Sequence, residues 1–366
     1  MRDTAVGGFA SLLARPDWRS SDATAAIAGA VTAGLHDDSP VVRMRAAEGA
    51  LAIHADDDVE RRASAVGDLV LGEQDGAVRT ILLGALAATA AAAPGVVDGV
   101  LARLHEDSDP GDGDDDLRGD VTVDLLTYLA VVAQTRFASA TVERWCEQAP
   151  ARAAVRRFAQ CARRYLAPPG GEGQARGFAL LRAAADACAA RLARDPAELL
   201  LPASELTEAQ LGEIQGAVLV CHDVAEQVYF ASGAFDGKGD PTAERAVPDA
   251  VFADLAMPVL RTCASTGVAQ CVHPAVETMV FLAPLDEARA LRAVADAVPA
   301  DSSYAGDSLA GEVVVTYLQR LLAEQRPLVL FDVEGADAFR RLLATFAAAG
   351  NQEALALAYT FADVFR

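Results

Sequence analysis

The sequence predicts an all-α fold. Helical hairpins stack in its first half, and an irregular helical region continues them. Three observations carry this prediction. Alanine is the commonest residue, while aromatics make up only 6% of the chain, a mix that favours helices because alanine loses no side-chain entropy on entering one. Apolar residues recur three and four positions apart through most of the chain, the spacing of one helical face. Short polar residues that can cap a helix stand in front of several of these runs.

The first-half elements follow in order. "DATAAIAGAVTAGL" repeats Ile27, Val31 and Leu35, and "SPVVRMRAAEGAL" carries Val42, Ala46 and Ala50 behind Ser39 and Pro40, with Ile53 just beyond it. Ser39 is expected to accept a bond from a free amide of the first turn, where the missing N–H of Pro40 costs nothing. "VERRASAVGDLVL" repeats Val59, Ala63, Val66 and Val70, and "DGAVRTILLGALA" carries Val78, Leu82 and Leu86 behind Asp75. "PGVVDGVLARL" repeats Val97, Val100 and Leu104, and "DDDLRGDVTVDLL" carries Leu117, Val121 and Leu125 behind Asp114. Every second segment places an arginine after an apolar residue: Arg43, Arg79 and Arg118, at intervals of 36 and 39 positions. Each interval holds one hairpin. One hairpin cannot bury both its faces, but a stack can.

These residues resemble the HEAT repeat, and within it the PBS-lyase type of HEAT-like repeat, over residues 2–166. The resemblance implies an α-α superhelix. It implies that Asp38, Asp75 and Asp114 with Arg43, Arg79 and Arg118 link neighbouring repeats and are structural. A further copy at "AVRRFAQCARRY" keeps Val155 and Arg156 but has Arg163 and Arg164 where leucine belongs. "LHEDSDPGDGDDDLRGD", Leu104 to Asp120, reads as a lengthened turn between hairpins. It lacks the alternating ligands, sixth-position glycine and twelfth-position glutamate of an EF-hand.

"APPGGEGQ" marks a break, so residues 167–174 are expected to be a linker and residues 175–366 an irregular helical region. Helices are expected over Arg176–Arg194, through Leu206–Phe235 with a seam of Leu211, Ile214, Val218, Cys221, Ala225 and Val228, and then near Asp249–Ser265, His273–Leu282, Leu285–Ala297, Leu309–Glu324, Ala336–Ala348 and Gln352–Val364. "LVLF" at Leu328–Phe331 is the one segment read as a possible short strand.

Charge and residue usage bound the function. The formal net charge is −21 with a pI near 4.6, a field that repels phosphate backbones, so no nucleic-acid partner is expected. Lys238 is the single lysine, which suits a GC-rich prokaryotic genome or a salt-adapted cytoplasm. It also removes Walker-type nucleotide binding, because "DGKGD" is not followed by Ser or Thr. Six scattered cysteines without a pairing pattern predict a reducing cytoplasm. No secretory leader and no membrane span are read from the apolar runs.

No catalytic group, cofactor or metal site is expected. "GDSL" at Gly306–Leu309 looks like a hydrolase signature, but Asp307 or Ser308 is better read as a helix cap. Cys221–His222 and Cys271–His273 lack the paired knuckles of zinc sites. His105–Glu106 is the only His-Glu dipeptide, whereas an iron-binding HEAT-fold enzyme class uses several. The expected function is a non-enzymatic scaffold that binds a protein partner, with Glu60, Arg61 and Arg62 as contact positions. The alternatives are an enzyme or regulatory subunit with a site around His222, Cys271 and His273, bilin-lyase-like or metal-dependent, and a self-assembling homo-oligomer or complex subunit.

Overall fold

A computed structural model describes residues 1–18, 23–106, 120–151, 153–167, 170–194, 201–236, 247–299 and 303–361. The described residues are helical, with no strand among them. The predicted turn around Asp114 and Arg118, and the loop carrying Lys238, lie outside them. The chain divides into two compact units, Met1–Val142 and Glu143–Arg366. That division falls earlier than the break read at 167–174, which lies between helices ending at Leu166 and starting at Gln174.

The first unit holds α1 (Arg2–Leu13), α2 (Thr24–Leu35), α3 (Pro40–Ala47), α4 (Ala50–Ile53), α5 (Val59–Gly72), α6 (Gly76–Ala87), α7 (Pro94–Glu106) and α8 (Asp120–Tyr128). The last continues as a π-helical turn, Leu129–Ala133, ending at Gln134 in the left-handed region. Chain neighbours pack together: α1 on α2, α2 on α3, α5 on α6. Helices also pack on neighbours one hairpin along: α1 on α3, α3 on α6, α6 on α8, and α5 on α7. The stripes at Ile27, Val31, Leu35, at Ala63, Val66, Val70 and at Val97, Val100, Leu104 are buried, as are Val42, Ala46, Ala50 and Val78, Leu82, Leu86. Gly67 of α5 lets α7 approach, since a Cβ there would collide with the Val100 side chain.

The caps are partly as expected. Pro40 opens α3, but the Ser39 side chain makes no capping bond; Asp37 Oδ1 accepts from the Ser39 amide instead, at 2.9 Å. Asp75 accepts from the amides of Ala77 and Val78.

The second unit starts within α9 (Arg136–Glu147) and continues through α10 (Ala154–Leu166), α11 (Gln174–Arg194), α12 (Glu208–Ser232), α13 (Ala250–Ala264), α14 (Ala269–Leu282), α15 (Glu287–Ala297), α16 (Ser308–Glu324), α17 (Arg326–Leu330), α18 (Val333–Ala348) and α19 (Gln352–Phe361). The sequence shows no repeat period here, yet the packing is ordered. One series runs α10–α12–α14–α16 and the other α11–α13–α15–α18, each helix packing on the next of its series. The segment read as a strand is the helix α17, with Pro327 in its first turn. A lone extended run would leave its backbone groups unpaired, whereas a helix satisfies them locally.

Helix α12 is central and packs on α10, α11, α13 and α14. A capping box between Thr207 and Gln210 starts it, and Gly233 at φ 83° ends it. Its expected seam is buried only from Cys221 onward, and Ala217, Val220 and Val224 widen it. Gly216 sits where any Cβ would strike the carbonyl oxygen of Pro150.

Candidate functional site

Four of the expected inter-repeat residues, Asp38, Arg43, Asp75 and Arg79, meet around one carboxylate that the sequence reading passed over. Arg43 on α3 donates from Nε and Nη2 to the two oxygens of Glu73, at 2.9 and 3.1 Å, and from Nη1 to the carbonyls of Asp37 and Asp38. Glu73 follows α5, so this bond joins one hairpin to the next. Its Oε1 also accepts from the amides of Gln74 and Asp75, and its carbonyl accepts twice from Arg79. Burial raises the Glu73 carboxyl, but the Arg43 bond and the two amides outweigh it and hold it below the ordinary glutamate value. Asp38 contributes its carbonyl to this network and Asp75 its amide. A second buried acid, Asp98 of α7, accepts from the Thr135 hydroxyl and the amides of Phe137 and Ala138, tying α7 to the start of α9.

Of the expected contact positions, Glu60 and Arg61 are exposed, and Arg61 pairs with Asp58 at 3.3 Å. Arg62 is engaged internally: it donates to the carbonyls of His54, Ala55 and Asp57 and closes the turn before α5.

A cleft of about 1250 Å³, open to solvent, lies in the second unit. Its walls are α12, α14 and the segment leading into α16. Two pairs at helical i,i+4 spacing face it, His222 with Glu226 on α12 and His273 with Glu277 on α14. Tyr229, Phe230 and Asp307 also line it. Asp307 has the role read for it, accepting from the Leu309 amide at 2.8 Å to start α16.

The geometry of His222 follows from a proline. Pro274 sits inside α14 and has no N–H to give to the carbonyl four residues earlier, that of Gln270. The freed carbonyl lies 2.9 Å from His222 Nδ1. An N–H at Nδ1 donates to it, which leaves the lone pair on Nε2. Next to it, Asp223 is nearly buried and its Oδ2 accepts from Arg156 Nε. The ligand-capable atoms of His222, Asp223 and Glu226 all lie within 4.8 Å of one another. On the facing helix, His273 Nδ1 is 3.1 Å from the Tyr304 hydroxyl and its Nε2 is 3.7 Å from Glu277. Burial pushes the Tyr304 phenol up, so it keeps its proton and can donate to His273.

The structure therefore brings His222 and His273 to one cleft, but not Cys271. That thiol is buried and donates to the Val218 carbonyl at 3.4 Å, and burial pushes it up to about 12. The cysteines instead converge in the core. Cys188 of α11 and Cys263 of α13 hydrogen-bond to Cys221 of α12, which raises both and lowers Cys221. All six are free and buried. The arginine-rich α10 turns two of its cations toward α12: Arg156 to Asp223, and Arg163 over the Phe230 ring at 5.7 Å.

No family model matches the chain, and no curated protein does. A solved engineered protein from the Northeast Structural Genomics Consortium aligns over 99% of this chain and 92% of its own, at 15% identity and a TM-score of 0.25. A likeness that low carries no argument. Among the described residues no single helix is long and apolar enough to cross a membrane.

Proposed function

We propose that the chain is a non-enzymatic helical-repeat scaffold of the HEAT-like kind, working in a reducing cytoplasm, and that its second-unit cleft receives a basic segment of a partner protein. The cleft carries the reading. At about 1250 Å³ it exceeds the roughly 300–1,000 Å³ of small-molecule sites, so it suits a stretch of chain. Glu226, Glu277 and Asp307 give it negative groups, and Tyr229 supplies an aromatic body. The net charge of −21 draws a cationic partner in and speeds its encounter. Six buried free thiols support the reducing compartment.

A labelled Arg/Lys-rich peptide, titrated in the presence of a chelator, tests this. It should bind, more weakly as salt rises, while an acidic peptide of the same length should not. Neutralising Glu226→Gln and Glu277→Gln together removes two partly buried charge contacts of about 1 kcal/mol each, about fivefold apiece in affinity. Equal affinity for both peptides, or none for the basic one, contradicts the reading. The second reading, a metal-dependent enzyme or regulatory subunit, is favoured by one observation, the His222–Asp223–Glu226 cluster.

A further inference from the structure

Three donors meet on little more than one turn of α12: an imidazole, a buried carboxylate and a half-buried carboxylate. Zinc-class ions hold nitrogen and oxygen ligands at about 2.0–2.2 Å in a tetrahedral arrangement, so two donors on one ion stand about 3.4 Å apart. The observed limit of 4.8 Å needs only rotamer adjustment to meet this.

The surroundings of the cluster are those of a ligand set. A metal-bound histidine usually gives its other ring nitrogen to a carbonyl or carboxylate, which fixes the tautomer and the ring plane. His222 has that partner in the Gln270 carbonyl at 2.9 Å, and the carbonyl is free because Pro274 cannot use it. Asp223 is held by Arg156 through Oδ2, and a carboxylate has acceptor capacity beyond one such bond. His222 and Glu226 line the cleft, so an ion has an entry path and open positions on its cleft side.

We infer that His222, Asp223 and Glu226 form a binding site for one divalent transition-metal ion of the zinc class in the wall of the cleft. The set is His plus two carboxylates, which leaves at least one position for water or for a group of whatever enters the cleft. Arg156 is a positioning residue. The site shares Glu226 with the basic-segment reading but requires no peptide, so each is tested without the other.

The test uses the full chain, stripped by chelator and kept reduced, with Co²⁺ and then Zn²⁺ as the only probes. One Co²⁺ per chain should bind with visible ligand-field bands and no thiolate charge-transfer band, and Zn²⁺ should displace it. His222→Ala and Glu226→Gln should each weaken Zn²⁺ at least tenfold with the helical circular dichroism unchanged. On the wild-type chain, which needs no variant to fold, Zn²⁺ should shift the ring-nitrogen resonances of His222. No uptake overturns the inference. So does a thiolate band, which would place the ion among Cys188, Cys221 and Cys263, or wild-type affinity in both variants. Peptide binding measured in chelator is unaffected by the outcome, so failure of one reading leaves the other standing.

Discussion

Glu73 shows how much one side chain can hold. It is 9% exposed, and its two oxygens and carbonyl accept from Arg43, Arg79 and two amides. Its carboxyl lies below the ordinary value of 4.5 in the folded chain. A depressed folded value means the stabilisation is fully present above the unfolded carboxylate range and is lost as pH falls through the folded value. Glu73→Gln should therefore melt below wild type at neutral pH, and the gap in melting temperature should close as the buffer is taken below about pH 4. A gap that stays constant with pH would mean the loss is not one of charge. Asp98 and Glu73 were both missed in the sequence for the same reason. Each bonds across hairpins to partners 30 to 40 positions away, whereas a short capping residue such as Asp75 announces itself beside the helix it starts.

At the scale of elements, the sequence reading placed the helices well because stripes and caps are local signals. Their packing partners are not local. The second-unit helices vary from 5 residues in α17 to 25 in α12, so no fixed period marks their layered order. Two element-level outcomes follow. Gly216→Ala adds a methyl where α12 meets the Pro150 carbonyl. Helix propensity alone would favour alanine by about 1 kcal/mol, yet overpacking costs about 1–3 kcal/mol, so urea unfolding should show a net loss. A gain would mean the contact yields. Pro274→Ala restores the N–H that would compete with His222 for the Gln270 carbonyl. Zn²⁺ affinity should then drop about tenfold, the scale of losing the hydrogen bond that orients a ligating histidine, with no loss of melting temperature. Unchanged affinity would remove the proline from the account of the site.

For the whole molecule, composition set the class and the field: alanine-rich, helical, strongly acidic. The convergence of His222 with His273, and of Cys188 with Cys221 and Cys263, belongs to the tertiary structure alone. "CVHP" did hold a trace of the site, a proline one residue after a cleft histidine, whose consequence appears only once α14 lies against α12. The central claim is that the cleft between these helices receives a basic segment. Carbodiimide coupling of a bound lysine-rich peptide, followed by peptide mapping of the full chain, tests it most directly. The account predicts cross-links at Glu226 and Glu277, suppressed by high salt. Cross-links spread over the acidic surface, with neither of these two carboxylates enriched, would contradict it.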